Sequence, residues 1–370
     1  MDVLLLGGTG TLSSAVRDLS IARGYNVSIF NRGKNNNNIP SKLNIIIGDF
    51  KKRESFESCF SNKYYDIVVD FLSRDVTDIE RMFSTFQGKC KQYIFISTAC
   101  VYLRENVDTP LTEDAEKPNP LWRYSIDKYN CEKWLKKTES KSSTTFYTIV
   151  RPYITYDNQR IPLGISPIPY YFHRTIIERI KSGKPWFVWD GGNSIVTTTY
   201  VSDFAIGVVG LFMNPKAKNE DFHITSNYNC TNRQLVELLF QKLKVQPYIV
   251  DIKTKEICEC LPEYKDMLIA DRALDARFDN TKIKTVVKDL NFKTSLDEGL
   301  DMVIDYWMKS SFYEYDYQFE GRIDKLLSKY VKVNFVRYPH ANKTALIVYY
   351  LYRYLPLKWA SKLAKYVKKR

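Results

Sequence analysis

Six short apolar runs divide the first 150 residues, and they limit the folds open to this chain more than any other feature does. Each run is rich in β-branched and aromatic residues, and helical patterns such as residues 12–24 lie between them. Strands that are apolar along their whole length are buried on both faces, which is typical of a parallel sheet covered by helices. The sequence therefore predicts an α/β fold with a doubly wound parallel sheet, whose strands are 2–7, 26–30, 43–49, 65–71, 92–98 and 146–152.

The first run leads directly into a glycine-rich turn, GGTGTLSS. After a strand, Gly7 lets the chain turn sharply and Gly10 lets the backbone approach a pyrophosphate, which the first amides of the next helix can bind. The alternative is a tight turn without a ligand, but strand, turn and helix in this order indicate a Rossmann-type dinucleotide site. Its residues would be Gly7, Thr9, Gly10, Thr11 and Leu12. Ser13 replaces the usual third glycine and should only loosen the packing.

The ends of the next two strands indicate which dinucleotide binds. Asn31, Arg32 and Lys34 stand where a carboxylate would accept hydrogen bonds from a ribose 2′-hydroxyl. Two cations can bind a 2′-phosphate instead, so we expect NADP in preference to NAD, unless both cations are merely solvated at a polar loop. Asp49 and Phe50, after the third strand, would contact the adenine.

A tyrosine and a lysine, Tyr124 and Lys128, lie four residues apart in a segment with a helical pattern. The chain has 27 tyrosines, so such a pair arises easily by chance and by itself predicts only two neighbours on a helix. Upstream, Thr98 ends the fifth predicted strand in FISTACVY. A hydroxyl at the carboxyl end of a parallel strand points into the crevice where ligands bind, and this context favours a site.

The ordered motifs GGTGTL, FISTACVY and YSIDK resemble the extended short-chain dehydrogenase/reductase family of nucleotide-sugar epimerases and dehydratases, over residues 1–310. VRPYITYD (150–157) and FHITS (222–226) are similar to one branch of it. The resemblance implies hydride transfer between a substrate carbon and a nicotinamide. Tyr124 would be the acid/base, Lys128 would lower the pKa of Tyr124 and bind the nicotinamide ribose, and Thr98 would hold the substrate oxygen. Further residues along the cofactor would be Phe71, Leu72, Ser73, Pro152 and Tyr153.

Departures from the family pattern bear on the reaction. The Asp-Glu pair of 4,6-dehydratases is replaced here by Ala99 and Cys100, and neither can do the acid–base work of a carboxylate. Cys100 matches a cysteine of the epimerase-reductase that makes GDP-fucose, although a small buried thiol is the ordinary interpretation. Val196 stands where many sugar epimerases have an arginine for the diphosphate. These departures do not affect the residues expected to carry out hydride transfer. They argue against a dehydratase, and they leave open whether the substrate is a standard nucleotide sugar.

The chain has 370 residues, enough for one large domain or two unequal ones. We expect a dinucleotide-binding domain at 1–155, a mixed substrate-binding region at 156–310 that returns to the sheet at intervals, and a basic, partly amphipathic helical extension at 311–370. Seven scattered cysteines and three distant histidines predict no metal site, and reduced thiols in a cytoplasm. The chain shows neither a signal-peptide pattern nor an apolar run long enough to span a membrane.

The net charge of +13 is concentrated near the C-terminus. Residues 331–370 hold ten Lys or Arg and no Asp or Glu, so 45 basic and 42 acidic residues remain in positions 1–330, a net charge of +3. This nearly neutral body argues against a nucleic-acid partner. The segment 355–370 predicts a basic amphipathic helix, which either contacts a membrane peripherally or packs on the body. Its apolar face would hold Leu357, Ala360, Leu363 and Val367, and its basic face Lys358, Lys362, Lys365 and Lys369.

Together these features predict an NAD(P)-dependent enzyme acting on a nucleotide-activated sugar, first an epimerase and next an NADPH-dependent ketoreductase. The alternative from another class is a non-catalytic cofactor-sensing or RNA-binding protein of the same fold, against which the Tyr124–Lys128 pair and the nearly neutral body argue. A homodimer formed through helices such as 122–137 and a role in polysaccharide biosynthesis stay open.

Overall fold

The computed structural model describes residues 1–34, 39–40, 43–105, 107, 110–138, 144–312 and 314–368. The predicted polar loop 33–42 thus lies partly outside the described residues, as do Lys369 and Arg370. The strands of the described chain are β1 Asp2–Leu6, β2 Asn26–Asn31, β3 Asn44–Ile47, β4 Tyr65–Asp70, β5 Cys90–Ile96, β6 Phe146–Pro152, β7 Thr155–Tyr156, β8 Trp186–Trp189, β9 Ile195–Thr197, β10 Thr199–Tyr200, β11 Glu220–Ile224, β12 Asn229–Thr231 and β13 Ile249–Ile252. Its helices are α1 Thr11–Ala22, α2 Arg53–Ser58, α3 Val76–Phe86, α4 Arg123–Thr138, α5 Arg174–Lys181, α6 Val201–Gly210, α7 Asn232–Lys242, α8 Thr254–Cys260, α9 Lys265–Met267, α10 Thr281–Val286, α11 Leu296–Lys309, α12 Tyr317–Leu327, α13 Lys343–Tyr354 and α14 Leu357–Val367.

The chain forms two compact units. The first comprises residues 1–156, 197–228 and 277–295, and the second comprises 157–196, 229–276 and 296–370. The chain therefore leaves the first unit and returns to it twice. The three predicted domain ranges remain a proposal beside this division.

A seven-stranded sheet in the order β11-β6-β5-β4-β1-β2-β3 forms the centre of the first unit. Neighbouring strands pair in parallel throughout, with β1 between β2 and β4. The predicted α/β fold with a doubly wound parallel sheet is thereby confirmed. The six predicted strands form β1 to β6 with shifts of a few residues at their ends, and the seventh, β11, contains the FHI of the FHITS motif.

Alternate side chains of the sheet enter two separate cores. Val3 and Leu5 of β1 face a core that includes Val16 of α1 and Phe204 of α6. Their neighbours Leu4 and Leu6 enter the opposite core, which helices α2, α3 and α4 also line. Helices thus cover both faces of the sheet, which explains why its strands are apolar along their whole length. The carboxyl ends of the strands stay at one edge, and this edge carries the site described below.

The second unit contains two small sheets, β8 with β13 and β9 with β12, and most of the C-terminal helices. Its helix α12 is buried along nearly its whole length. The segment after residue 310, predicted as a helical extension, therefore contributes a central element of this unit. Only part of it has the exposed surface that a loose tail would have.

A buried histidine in the second unit is held in its neutral form by its partners. His173 accepts a hydrogen bond at Nδ1 from the backbone N–H of Ile161 (2.8 Å), and its Nε2 donates to the carbonyl oxygen of Pro167 (3.2 Å). The side chain is fully buried. Burial, together with the nearby Arg160, lowers the pKa of His173 from 6.5 to about 3. Protonation at Nδ1 would also remove the acceptor that Ile161 uses.

The unfolded chain therefore binds a proton at His173 below pH 6.5, whereas the folded chain does not, so stability should fall as the pH falls below 6.5. At pH 5 this residue should lower the free energy of unfolding by about 2 kcal/mol relative to pH 7.5. The variant His173→Asn retains an acceptor and a donor but does not titrate, and it should lose that part of the pH dependence in urea unfolding. Exposed His340→Asn serves as the matched control. An unchanged pH dependence in His173→Asn would contradict this account.

Candidate active site

The glycine turn after β1 is shaped by positive backbone φ angles and, at Gly8, by a close contact. Gly7 and Gly8 have φ values of +124° and +98°, which L side chains rarely adopt. A Cβ on Gly8 would lie 2.6 Å from the side chain of Ile29, and one on Gly7 would lie 3.4 Å from Phe71 Cβ. Gly8 was not singled out from the sequence, because its constraint comes from β2. Phe71 and Leu72, which are predicted from the sequence to lie along the cofactor, are next to Gly7.

Helix α1 begins directly after this turn, with Gly10 as its N-cap in extended conformation. Thr11 and Leu12 form the first turn of the helix, and Thr9 precedes the cap; no carboxylate occurs in that first turn, which is described in full. Ser13 is buried, accepts a hydrogen bond from the Gly10 N–H (3.0 Å) and returns one to the Gly10 carbonyl (3.2 Å). Where loosened packing was expected, Ser13 therefore fastens the turn. An anion at this helix end would meet the positive end of the helix dipole.

The ends of β2 and β3 carry the residues predicted to meet the adenosine half of a dinucleotide. Asn31 Oδ1 accepts a hydrogen bond from the Gly33 N–H (2.7 Å), which holds the turn after β2. Arg32 and Lys34 are exposed on that turn. After β3, Asp49 and Phe50 are half-buried, and Asp49 Oδ1 accepts a hydrogen bond from the Lys51 N–H (3.0 Å).

A buried aspartate shapes the segment that follows β4. Asp70 Oδ1 accepts hydrogen bonds from the N–H groups of Leu72 (2.8 Å) and Ser73 (3.0 Å), while Oδ2 accepts one from the Tyr93 hydroxyl (2.7 Å). Phe71 and Leu72 are half-buried at this bend. The Ser73 hydroxyl is fully buried and has no hydrogen-bond partner among the described residues. A buried polar atom without a partner needs an explanation, and a bound ligand is one such explanation.

Lys128 of α4 reaches across the ends of two strands. Its Nζ donates to the carbonyl oxygens of Ser73 (2.7 Å) and Ile96 (2.8 Å), and it lies 4.6 Å from the centre of the Phe95 ring. Burial lowers the pKa of Lys128, although the nearby Asp70 acts in the opposite direction. An ammonium group has three donors, so two are engaged within the protein and a third can serve a ligand at the strand ends.

Thr98 caps a short 3₁₀ turn, Ala99–Val101, that follows β5, and the first turn of α4, which contains Tyr124, is hydrogen-bonded to that 3₁₀ turn. Thr98 Oγ1 accepts a hydrogen bond from the Cys100 N–H (3.2 Å), which leaves its O–H free to donate to a ligand. Ser125 Oγ donates to the Cys100 carbonyl (2.7 Å), so the first turn of α4 is fastened to the same 3₁₀ turn. Tyr124 lies in that first turn, is 38% exposed, and packs its ring 5.1 Å from that of Trp122.

The orientation of α4 depends on a buried ion pair that sequence reasoning missed. Glu132 accepts hydrogen bonds from Arg151 Nε (3.0 Å) and Nη2 (2.8 Å) and from Ser97 Oγ (2.5 Å). Arg151 comes from β6, and Ser97 directly follows β5. Burial lowers the pKa of Arg151, but the charge of Glu132 outweighs that effect and leaves the pKa well above its usual range. Nothing within α4 sets Glu132 apart from the other charged residues of the helix, so the sequence carried no signal of this contact.

The end of β6 supplies the remaining predicted residues. Pro152 is the last residue of β6 and is buried, as is Tyr153 after it. The guanidinium of Arg104 lies 4.5 Å from the centre of the Tyr153 ring, and its Nη2 donates to the carbonyl of Ala99 (3.1 Å). Arg104 thus supports the turn after Thr98. A lone arginine in VYLREN gave no signal of this role in the sequence.

These residues together fit a dinucleotide. Gly7 and Gly8 hold the turn at positive φ, α1 begins directly after it, and the buried Ser73 hydroxyl and Lys128 ammonium lie at adjacent strand ends. Parallel sheets of this kind bind the phosphates of a dinucleotide at the N-terminus of a helix. The rest of the dinucleotide then lies along the carboxyl ends of the strands.

The family follows from a comparison with known proteins. Residues 3–225 match the model of the NAD dependent epimerase/dehydratase family, and the chain belongs to that family. This agrees with the resemblance found in the sequence motifs.

Several solved structures share the fold. UDP-glucose 4-epimerase from Thermotoga maritima, determined with UDP-glucose, is 22% identical with a TM-score of 0.67, and the match covers 84% of this chain and 99% of that one. UDP-glucuronic acid 4-epimerase from Bacillus cereus, in complex with UDP-glucuronic acid and NAD, is 17% identical with a TM-score of 0.66 and the same coverage. At these identities the likeness shows the fold alone.

A curated relative carries a name of a different kind. The chloroplast stem-loop binding protein of 41 kDa b from Arabidopsis thaliana is 28% identical to this chain over 239 residues. That match covers 60% of the chain and 58% of the relative's length. The proteins similar to this chain thus include one named for stem-loop binding as well as epimerases.

Proposed function

We propose that the protein is an NAD(P)-dependent epimerase that acts on a nucleotide-activated sugar. The observation that supports the proposal is the position of Lys128, whose Nζ donates to the carbonyl oxygens of Ser73 and Ile96. Thr98 follows Ile96 by two residues, and Tyr124 lies one turn before Lys128 on the same helix. Epimerases that bind UDP-sugars share the fold, which is consistent with that substrate class.

Each of the three residues has a separate task in this proposal. The Thr98 hydroxyl donates to the substrate oxygen and keeps it near the Tyr124 phenol. Tyr124 takes the hydroxyl proton as the substrate carbon is oxidised and returns a proton on reduction. Lys128 supplies a positive charge one helical turn away, which favours the phenolate, and donates its remaining N–H to the nicotinamide ribose. The nicotinamide, when bound, supplies the chemistry of hydride transfer.

A dehydratase remains disfavoured at this site. Ala99 and Cys100 are buried in the 3₁₀ turn where 4,6-dehydratases are expected to carry their acidic pair. Elimination of water from a sugar needs an acid and a base at that place, and neither side chain provides them.

The second candidate is an NADPH-dependent ketoreductase of a sugar. The turn after β2 favours it, because Arg32 and Lys34 are both exposed there and can bind a 2′-phosphate. For the same reason we propose NADP as the preferred cofactor, although similar structures hold NAD.

The experiment that tests the proposal is mass spectrometry of the small molecules released from the purified, acid-denatured protein, followed by titration of the emptied protein with NADPH and NADH. Retained cofactor would support an epimerase, which oxidises and reduces one substrate without exchanging its cofactor. An empty protein that binds NADPH much more tightly than NADH would support the reductase. Failure to bind either dinucleotide would overturn both.

Removing the two cations after β2 should change the choice of cofactor. In the double variant Arg32→Ala/Lys34→Ala, NADPH should bind roughly 10- to 100-fold more weakly, because charge-assisted hydrogen bonds to the 2′-phosphate are lost. NADH binding should change little. Calorimetric titration measures both, and Arg23→Ala/Lys63→Ala removes the same charge from exposed positions elsewhere in the first unit. An equal loss of affinity for NADPH and NADH would show that the two cations do not recognise the 2′-phosphate.

A further inference from the structure

The last two helices pack against each other through small residues. Ala360 and Ala364 of α14 are buried against Val348 and Tyr352 of α13. Leu357 and Val367 complete this contact, as the predicted apolar face requires, but Leu363 lies outside it and is exposed. The packing of α14 therefore uses only part of its apolar surface.

Each of the same two helices also carries large apolar side chains that are exposed. We call these six side chains together the aromatic face, and each is between 40% and 69% exposed. On α13 the positions are separated by three and four residues, and on α14 by four and three, so each set forms one ridge along its helix. The members are Ile347, Tyr350, Tyr354, Trp359, Leu363 and Tyr366. Six large exposed apolar residues within twenty positions are far more than scattered surface residues provide.

A row of lysines runs beside this face. Lys358, Lys362 and Lys365 repeat the spacing of the α14 ridge one residue earlier, and all three are exposed. Residues 331–370 contain no carboxylate to neutralise them. The surface therefore combines exposed Trp and Tyr with three exposed lysines.

We propose that the aromatic face and its lysines bind the surface of an anionic lipid bilayer. Trp and Tyr favour the membrane–water interface, and neighbouring lysines are attracted to acidic headgroups. In the described part of the chain, no helix is long and apolar enough to cross a membrane, so α13 and α14 would lie on the bilayer rather than span it.

Two other partners fit this surface less well. A second copy that met the same face about a two-fold axis would bring lysines against lysines, without a carboxylate in residues 331–370 to offset them. Single-stranded RNA would use the aromatic rings for stacking, but Ile347 and Leu363 offer no stacking surface and α14 carries lysine rather than arginine.

The test is co-sedimentation of the full-length protein with phosphatidylcholine vesicles and with vesicles of equal parts phosphatidylcholine and phosphatidylglycerol. The protein should bind the anionic vesicles, release them as salt is raised, and bind neutral vesicles weakly. Lys358→Gln/Lys362→Gln/Lys365→Gln should lower the partition coefficient roughly 100-fold. The control Lys253→Gln/Lys255→Gln/Lys265→Gln removes the same charge from exposed positions of the second unit and should bind as the wild type does.

Tryptophan emission gives a second readout that does not depend on charge variants. Emission should shift to shorter wavelength with anionic vesicles, and Trp359→Phe should remove most of that shift. Equal binding to neutral and anionic vesicles, or wild-type binding by the triple α14 variant, would overturn the proposal. The proposal would also be overturned if the protein did not bind vesicles but bound single-stranded RNA, or formed a dimer, in a manner that depends on the α14 lysines.

Discussion

Tyr124→Phe should lower turnover by at least about 100-fold while the protein still holds its cofactor. The substitution removes one hydroxyl, and positioned proton transfer typically contributes about 10²- to 10⁴-fold to a rate. The glycine turn, Ser73 and Lys128 are untouched, so dinucleotide affinity should stay close to that of the wild type. The rate can be followed with UDP-glucose and UDP-glucuronic acid as probes, and the affinity by titration with the dinucleotide.

Tyr124 is a cleaner target than Lys128. Lys128 Nζ donates to the carbonyl oxygens of Ser73 and Ile96, so its removal would leave two buried acceptors without a partner and would disturb the strand ends. Tyr124 is 38% exposed, and phenylalanine keeps its ring contact with Trp122. A change of rate in Tyr124→Phe reports chemistry if urea unfolding gives the same stability for the variant and the wild type.

Tyr129→Phe is the matched control, since it removes a hydroxyl from the same helix outside the proposed site. It should leave the rate unchanged. Wild-type turnover by Tyr124→Phe would remove Tyr124 from the acid–base role. If neither probe is turned over and Tyr124→Phe binds stem-loop RNA as tightly as the wild type, the alternative of an RNA-binding protein on this fold gains the support that the named relative suggests.

The sheet was predictable because its signal is local. Each strand is a continuous apolar run, and the turn after β1 carries its glycines in sequence order, so no long-range contact was needed to recognise them. The strand β11 was recognised only as a motif, because it is five residues long and begins with Glu220 and Asp221. Charged residues at the start of a short strand hide its apolar pattern.

The parts of the site that were missed depend on contacts between distant residues. Gly8 must be glycine because Ile29 of the neighbouring strand is close to it. Glu132 is buried because Arg151 of β6 and Ser97, which directly follows β5, both bind it. Charged residues on helices are usually solvated, and nothing within α4 distinguishes Glu132 from the charges around it. The same limitation applies to the charges buried in α12.

Four buried charges join α12 to the region around α5. Arg179 Nη1 donates to Glu320 (2.8 Å) and Asp324 (2.7 Å), and Lys184 Nζ donates to both carboxylates at 2.5 Å. The Tyr349 hydroxyl of α13 also donates to Asp324 (2.6 Å). All four charged side chains are almost completely buried, and their charges sum to zero. Burial raises the pKa of Glu320, but the charges of Arg179 and Lys184 have a larger effect in the opposite direction. The pKa of Glu320 therefore lies below its usual value, and the carboxylate stays ionised.

Asp324→Ala should therefore destabilise the protein by about 3–5 kcal/mol, because it leaves two buried cations with one carboxylate. Chemical denaturation measures the loss. Asp305→Ala breaks a 2.7 Å pair with Lys309 that is exposed, and it should cost less than about 1 kcal/mol. Adding Lys184→Met to Asp324→Ala restores neutrality and should recover part of the loss, which separates an uncompensated charge from a simple cavity. A loss no larger than that of Asp305→Ala would mean that α12 is not held by these charges. The expected result would place α12, and the buried side of α13, in the core of the second unit. The aromatic face on the exposed sides of α13 and α14 would then be the surface available to bind lipid.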